Sequence, residues 1–224
     1  MRLDNKVALI TGGARGQGAV EARLFAAEGA NVVICDILDE EGKRIESEIN
    51  NTGGSSLFAH LDVTDESEWQ HVIETTLNSF GQLDILVNNV GTSSAGPFEE
   101  MEDERWMSDL ELKLFAAIRC TREVIPYMRK QHWGRVVNLT ALGAKTPAAR
   151  SAPSSVSRAA GVALTKALSK EFASNNILVN TVCIGLIKAG QHENRYTAAR
   201  ERNPSLTLDQ FYEQMAQASG VPVG

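Results

Sequence analysis

A glycine-rich turn between a short apolar run and a helical pattern constrains this chain more than any other feature. Val7 to Ile10 form the apolar run, and the turn reads Thr-Gly-Gly-Ala-Arg-Gly-Gln-Gly over positions 11–18. The helical pattern that follows ends at Gly29. A strand that leads through such a turn into a helix presents free backbone N–H groups and the positive end of a helix dipole to an anion. Glycines are needed because the chain turns sharply and a diphosphate must approach the backbone without meeting a Cβ atom.

Asp36 makes this turn a more specific nucleotide signal. The second apolar run, Asn31 to Cys35, ends at this acidic residue about twenty positions after the glycines, where a carboxylate can accept hydrogen bonds from an adenosine ribose. The turn and Asp36 together predict a dinucleotide-binding site. The alternative is a helix-capping Asp beside a purely structural tight turn.

Composition and charge narrow the class of protein. The 224 residues, 43% of them hydrophobic, predict a single domain over 1–224 with a sizeable core. A net charge of −6 without a dense Lys/Arg block argues against a nucleic-acid surface. No secretory leader and no apolar run long enough to span a bilayer occur, so we expect a cytoplasmic protein without membrane contact. Three cysteines without metal-ligand spacing predict buried free thiols and no metal site, at Cys35, Cys120 and Cys183.

Strand-like apolar runs alternate with helical patterns along the chain. The predicted strands are Leu3–Ile10, Asn31–Cys35, Ser56–Leu61, Leu83–Val87, Arg135–Leu139 and Ile177–Val182. The predicted helices are Gly16–Glu28, Asp39–Asn50, Thr64–Phe80, Asp103–Gln131 and Pro153–Asn175, with Pro126 expected to kink or end the fourth early. Repeated βα units predict an α/β fold: a doubly wound parallel sheet covered by helices on both faces, in three α/β/α layers.

Taken together, these motifs resemble the short-chain dehydrogenase/reductase family over essentially the whole chain. Positions 11–18 match the family's phosphate turn, and Asn-Asn-Val-Gly at 88–91 matches its Asn-Asn-Ala-Gly segment. Gly-Arg-Val-Val-Asn at 134–138 and Ile-Leu-Val-Asn-Thr-Val at 177–182 match its fifth and sixth strands. The resemblance implies a Rossmann fold and a nicotinamide cofactor. It further implies a homodimer or homotetramer, and hydride transfer between NAD(H) and a small alcohol or carbonyl substrate.

The resemblance also implies which residues contact the cofactor. In the family the carboxylate at Asp62 meets the adenine amino group, the amide at Val63 meets the ring, and the residue at Asn89 supports the central strands. The residues implied are Gly12, Arg15, Gly16, Gln17, Gly18, Asp36, Ile37, Asp62, Val63, Asn89, Gly91 and Arg158.

Two residues bear on the choice between NAD(H) and NADP(H). A carboxylate at Asp36 repels a 2′-phosphate and favours NAD(H). A basic residue at Arg15 accompanies NADP(H) in some family members. We favour NAD(H), because charge repulsion in a partly desolvated pocket outweighs one flexible, solvated Arg. Arg15 could equally be a surface residue, or pair with Asp36 in the empty site.

All four positions that carry the family's catalytic residues are substituted. Alignment on residues 134–138 and on the helix near Pro153 places Ser154 at the family's Tyr and Arg158 at the Lys four residues later. Ala141, with Thr140 beside it, falls at the family's Ser, and Lys113 falls at its Asn. Cys183 to Lys188 replace the Pro-Gly and Thr expected after the sixth strand.

These substitutions change the available acid/base chemistry. An alkyl hydroxyl such as Ser154 is a far weaker acid than a tyrosine phenol, so it is either a substrate contact or a plain helix-start residue. Arg158 keeps a positive charge for the nicotinamide ribose but cannot shuttle protons. Lys113 can titrate usefully if it is buried beside the cofactor; alternatively it is a snorkelling or salt-bridged lysine.

Three functions are therefore compatible with the sequence. The first is an NAD(H)-dependent oxidoreductase with a rebuilt active site, and the second is a non-catalytic nucleotide-binding or scaffold protein. The third is a lyase resembling the halohydrin dehalogenases, which carry Arg in place of the Lys but retain the Tyr and lose the cofactor turn. The substrate is set by the loop from Lys188 to about Gln217, because such loops vary freely. After a helical pattern at Leu208–Ala218 the family's last helix and strand are not found, so either the chain is a fragment or a partner covers the sixth strand.

Overall fold

Six parallel strands form one sheet in the computed structural model, which describes residues 1–187 and 190–219. The strands are β1 (Val7–Thr11), β2 (Asn31–Asp36), β3 (Ser55–His60), β4 (Ile85–Asn88), β5 (Gly134–Ala141) and β6 (Ile177–Ile184). Their order is β3-β2-β1-β4-β5-β6, and every neighbouring pair is parallel. The predicted doubly wound parallel sheet is confirmed. The order reverses between β1 and β4, which is where such folds bind ligands.

Helices connect the strands and cover both faces of the sheet. They are α1 (Gly16–Ala27), α2 (Asp39–Asn51), α3 (Glu66–Phe80), α4 (Asp103–Leu110), α5 (Ala116–Lys130), α6 (Ser154–Glu171), α7 (Gly190–Arg202) and α8 (Leu208–Ser219). Short 3-10 turns lie at Phe98–Glu100, Leu142–Ala144 and Ala173–Asn175. None of the helices within the described ranges has the length and apolar character to cross a bilayer.

Successive side chains along each strand point to opposite faces of the sheet, and this divides the core into two layers. On β1, Val7 and Leu9 pack in a cluster with residues of α3 and α5, whereas Ala8 and Ile10 pack with residues of α1 and α2. Successive side chains of a strand point to opposite faces, and both faces here are covered. For this reason β1, in the middle of the sheet, is apolar over its first four residues, and all five of its residues are buried.

The predicted long helix over 103–131 is interrupted at a place the sequence did not indicate. A π-helical turn, Glu111–Phe115, joins α4 to α5, and α5 continues through Pro126 to Lys130. The expectation that Pro126 ends this helix early is therefore wrong. Buried Val124, Ile125 and Met128 hold the surrounding helix against the core, which overrides the local preference.

Other differences are small. The first strand begins at Val7 rather than Leu3, because the preceding residues form turns and Asn5 has a positive φ of 60°. Cys35 and Cys120 are buried free thiols as predicted, and burial raises the pKa of both. Cys183 is only half-buried, because β6 lies at the edge of the described sheet. Of the predicted substrate loop, Lys188 lies outside the described residues, as does the chain after Ser219.

Candidate active site

The predicted site residues meet at the carboxyl ends of the strands. The glycine turn follows β1, Asp36 ends β2, Asn88 ends β4 and Ala141 ends β5. Because these strands are parallel, their ends lie at one edge of the sheet, and the β1–β4 reversal opens a crevice there.

The turn before α1 is shaped to receive an anion. Gly12 has a φ of +66°, which favours glycine. A Cβ atom on Gly18 would collide with the carbonyl oxygen of Gly12 and lie 2.7 Å from Nδ2 of Asn89. The helix begins with Arg15 as N-cap, which makes no side-chain hydrogen bond to the first turn. The first-turn N–H groups of α1 are therefore free of a capping side chain, and their dipole points toward the crevice.

Asp36 is buried and holds the turn in place. Its Oδ2 accepts a 3.0 Å hydrogen bond from the Ala14 N–H, and its Oδ1 accepts one of 3.2 Å from the Leu38 N–H. Leu38, not Asp36, is the N-cap of α2, which speaks against the helix-capping alternative. Arg15 is exposed and forms no ion pair with Asp36, so the carboxylate is not neutralised from that side.

Asn89 links the end of β4 to the turn after β1. Its Nδ2 donates to the carbonyl oxygens of Thr11 and Gly12, both at 3.0 Å. Its own backbone N–H donates to Oγ1 of Thr11 at 3.1 Å. These three hydrogen bonds hold the turn against β4, and the role toward the cofactor that the family resemblance implies for Asn89 stays a prediction.

The remaining predicted cofactor residues occupy the same edge in different ways. Oδ1 of Asp62 accepts hydrogen bonds from the N–H and hydroxyl of Thr64, at 2.9 and 2.7 Å, so this carboxylate is already engaged within its own loop. Val63 is buried and lines the cavity described below. Gln17 donates from Nε2 to Glu21 at 2.9 Å, and Ile37 is exposed. Gly16 also has a positive φ, of 55°.

Of the four positions at which we predict substituted catalytic residues, three lie on the helices that flank the crevice, and two of these side chains touch. Nζ of Lys113 donates to Oγ of Ser154 at 2.9 Å and forms an ion pair with Asp109, one helical turn earlier on α4. The side chain of Lys113 is 1% exposed and that of Asp109 is fully buried. Burial lowers the pKa of Lys113; the Asp109 carboxylate opposes this effect, and the charge of Arg158 adds to it. Lys113 is thus both buried at the candidate site and paired with a carboxylate, so this geometry is compatible with either interpretation of the residue.

Arg158 lies over Gly91. Nη1 donates a 2.6 Å hydrogen bond to the carbonyl oxygen of Leu139, and Nη2 occupies the place where a Cβ atom of residue 91 would be. Burial lowers the pKa of this guanidinium, although Asp109 opposes the shift. With a pKa normally above about 12, Arg158 remains a hydrogen-bond donor and cation at neutral pH.

The fourth position, Ala141, contributes no functional group. Its neighbour Thr140 is buried, and its hydroxyl lies 3.0 Å from Oγ1 of Thr181 and 3.2 Å from Sγ of Cys183 on β6. Thr140 therefore serves to link β5 to β6 rather than to replace the missing serine.

A cavity lies between the ends of β4 and β5 and the helices α5 and α6. Lys113, Thr140 and Arg158 line it together with Asn88, whose buried Oδ1 has no hydrogen-bond partner. The amide nitrogen of Asn88 donates to Asn138 at 2.8 Å. One buried polar atom without a protein partner, Oδ1 of Asn88, thus belongs to the lining of a space next to the predicted catalytic positions.

Comparison with known proteins agrees with this geometry. The family model for short chain dehydrogenase matches residues 6–200. The chain belongs to the short-chain dehydrogenase family. Cyclopentanol dehydrogenase of Comamonas sp. (strain NCIMB 9872) is 38% identical over 186 residues, covering 83% of this chain and 74% of that protein.

Two further relatives are dehydrogenases of ring compounds. The 2,5-dichloro-2,5-cyclohexadiene-1,4-diol dehydrogenase of Sphingobium indicum is 39% identical over 184 residues, which is 82% of this chain and 74% of that protein. Trans-4-hydroxycyclohexanecarboxylate dehydrogenase of Sinomonas cyclohexanicum is 36% identical over 193 residues, or 84% of this chain and 74% of that protein. These similarities support an oxidoreductase, and membership of a dehydrogenase family implies a nicotinamide cofactor. The glycine turn fits such a group, because nothing lies within 4 Å of the place where a Cβ on Gly16 would stand, which leaves this part of the backbone open to a diphosphate.

Two residues that contact the candidate site, Asp109 and Ser157, were missed by the sequence analysis. Both carboxylate oxygens of Asp109 are used, since Oδ2 accepts a 2.6 Å hydrogen bond from Ser157 while Oδ1 faces Lys113 and Ser154. Asp109 precedes Lys113 by four residues, the spacing of side chains on one helix face, and this was the available signal. Nothing in the local sequence marks Ser157, because its partner lies on another helix.

Proposed function

We propose that this chain is an NAD(H)-dependent oxidoreductase that interconverts a secondary alcohol and a ketone on a small ring. The observation that carries the proposal is the buried Asp36 carboxylate, held by the Ala14 N–H beside the uncapped N-terminus of α1. A negative charge here repels the 2′-phosphate of NADP(H) and can accept hydrogen bonds from the ribose hydroxyls of NAD(H). The exposed Arg15 does not offset this charge.

We assign the following roles to residues of this chain. The turn at 12–18 binds the diphosphate, Asp36 the adenosine ribose, and Arg158 the region of the nicotinamide ribose. When bound, the nicotinamide exchanges a hydride with the substrate carbon. Ser154 is half-buried at the start of α6 and hydrogen-bonded to Lys113, which makes these two the proton-carrying groups of the rebuilt site.

The substrate class is suggested by the relatives. The three named above act, by their names, on a cyclopentanol, a chlorinated cyclohexadiene diol and a hydroxycyclohexane carboxylate. Their common chemistry is a hydroxyl group on a five- or six-membered ring. We infer the same class for this chain.

Exchange of Asp36 tests the cofactor choice. Asp36→Asn keeps an acceptor oxygen for Ala14 but removes the charge, so the ratio of NADH to NADPH affinity should fall by at least about tenfold, or 1.4 kcal/mol. Calorimetric titration with both nucleotides measures the ratio. The matched control is Asp39→Asn, an exposed carboxylate at the start of α2, which should leave the ratio unchanged. Equal affinities in the wild type, or no change in Asp36→Asn, would contradict the proposal.

Nucleotide binding without turnover is the second candidate. One observation favours it, because the hydroxyl of Ser154 is already engaged within the protein. Its Oγ accepts hydrogen bonds of 2.9 Å from the Ser94 N–H and from Nζ of Lys113, and it donates one of 3.3 Å to Asp109. A panel of cyclopentanol, cyclohexanol and their ketones separates the two candidates. Turnover with NAD(H) supports the oxidoreductase, whereas tight NADH binding with no turnover on the panel supports the binding protein.

A further inference from the structure

The buried ion pair between Lys113 and Asp109 connects two elements at the rebuilt site. Asp109 lies on α4, Lys113 lies in the π-helical turn, and both face the start of α6. There Ser157 donates to Oδ2 of Asp109 at 2.6 Å, and Ser154 accepts from Nζ of Lys113 at 2.9 Å. Removing two charges from water is expensive, so a pair this deeply buried needs further hydrogen bonds, and the two serines supply them.

The hydrogen bonds of Ser154 differ in length, and the difference matters. Its Oγ accepts two bonds of 2.9 Å, from the Ser94 N–H and from Lys113. The bond that it donates, to Oδ1 of Asp109, is longer at 3.3 Å. Asp109 keeps its contacts with Lys113 and Ser157 without this bond. The Ser154 hydroxyl proton can therefore turn toward a substrate oxygen while both bonds that position Oγ remain.

The charged groups acting on Lys113 are few and lie on both sides. Asp109 on α4 favours the ammonium form, and Arg158 on α6 disfavours it. The hydroxyls of Ser154 and Ser157 on α6 and the Ser94 N–H from the loop after β4 complete the cluster. Among the side chains that the structure describes, Asp109 is therefore the carboxylate that offsets the burial of Lys113.

We propose that Asp109 is a positioning residue that keeps Lys113 protonated and directed at Ser154, so that Ser154 and Lys113 together donate the proton in carbonyl reduction. This inference rests on the proposed oxidoreductase function. Lys113 acts through Ser154, and Asp109 acts through Lys113. The three residues would replace, by a relay, the single phenol that this chain lacks.

The step balances as a two-proton relay coupled to one hydride. The reduced nicotinamide dinucleotide supplies the hydride for the new C–H bond at the carbonyl carbon. As the carbonyl π electrons move to oxygen, that oxygen takes the proton of Ser154 Oγ, and Oγ takes a proton from Lys113 Nζ. Lys113 is left as a neutral amine and regains a proton from water. Alcohol oxidation runs the same transfers in reverse and requires neutral Lys113 at the start.

The pH dependence follows from this order of events. Reduction needs protonated Lys113, so its rate falls as the pH rises above the pKa of Lys113. Asp109 favours the charged form, so removing its charge lowers this pKa and moves the fall in rate to lower pH. The oxidation profile moves the same way, because neutral Lys113 becomes available at lower pH.

The experiment is a 15Nζ NMR titration of lysine-labelled protein, without nucleotide, with the Lys113 signal assigned by its absence from Lys113→Met. In Asp109→Asn the acid dissociation constant of the Lys113 ammonium group should rise by at least about tenfold. Asp103→Asn, an exposed carboxylate in the first turn of the same helix, is the matched control and should leave it unchanged. The pH at which cyclopentanone reduction falls to half should shift downward in Asp109→Asn only.

Ser154 provides a second test that leaves both charges of the ion pair in place. Ser154→Ala should reduce the reduction rate by about 10²–10⁴-fold with NADH affinity within about threefold of wild type. Ser154→Thr, which keeps the hydroxyl, should restore part of the rate. A wild-type rate in Ser154→Ala overturns the relay even where Asp109→Asn does not fold.

The outcomes separate this inference from the proposed function. Absence of NADH binding or of ketone turnover in the wild-type protein contradicts the proposed function. Both are therefore measured in the wild type before the variants are compared. If the acid dissociation constant of Lys113 is unchanged in Asp109→Asn, the positioning role is overturned even in an active enzyme. If that constant shifts but the pH profile of the reduction rate does not, the role is also overturned, because the pair would then be structural only.

Discussion

Gly18 shows how strongly the nucleotide turn depends on the absence of a side chain at one position. The residue is buried where α1 begins, with the Gly12 carbonyl oxygen and the Asn89 amide on the side that a Cβ would occupy. Asn89 in turn holds Thr11 and Gly12 at the end of β1. Any side chain at position 18 must displace backbone, so its effect reaches the whole turn.

We therefore expect Gly18→Ala to impair both folding and binding. The displaced Gly12 backbone should lower the free energy of unfolding by about 1–3 kcal/mol, and NADH affinity by at least about tenfold. Denaturant unfolding and calorimetry measure the two effects. Gly143→Ala is the matched control, because nothing lies within 4 Å of its added Cβ. Wild-type affinity in Gly18→Ala would contradict the role given to this turn.

Residues of the turn could be predicted because their signal is local. The glycine spacing and the distance to Asp36 follow from one βαβ unit, and the structure places both at the same sheet edge. The role of Asp109 could not be predicted in this way. Its partners Ser154 and Ser157 are more than forty residues away along the chain, as the separations of 45 and 48 positions show, and only the packing of α4 on α6 brings them together.

At the scale of elements, the irregular helix from Asp103 to Lys130 shapes the candidate site. Its π-helical turn, Glu111–Phe115, contains Lys113, and π-helical turns within α-helices are often found at functional sites. The sequence predicted the helix over nearly its full length but attributed its irregularity to Pro126. The local sequence identifies a proline as a helix breaker. The extra residue of a π-helical turn, in contrast, is determined by how the helix packs against α6 and the core.

The ion pair that links this helix to α6 should show strong energetic coupling. Lys113→Met leaves Asp109 buried without its cation, so we expect a loss of about 3–5 kcal/mol in the free energy of unfolding. The double variant Asp109→Leu/Lys113→Met removes both charges and should recover most or all of that loss. Urea unfolding of the two single variants and the double variant gives the coupling energy. Additive losses would show that the pair is not coupled.

At the scale of the whole molecule, the strand order brings the two halves of the candidate site together. The first half, β1-α1-β2, supplies the glycine turn and Asp36, and the second supplies Asn89, Lys113, Ser154 and Arg158. The reversal of strand order between β1 and β4 sets these halves on either side of one crevice. Repeated βα units predicted this architecture from the sequence, because each apolar run is long enough for a buried strand and each is followed by a helix. The substrate contacts could not be predicted, because the segments after β6, to which we assign them, have no regular sequence motif.

The most direct test is a crystal structure of the protein grown with saturating NAD⁺. We predict that the diphosphate lies on the first-turn N–H groups of α1, the adenosine ribose on Asp36, and the nicotinamide end beside Arg158 and Ser154. A folded protein whose turn is empty under these conditions, or which holds the dinucleotide elsewhere, would contradict it.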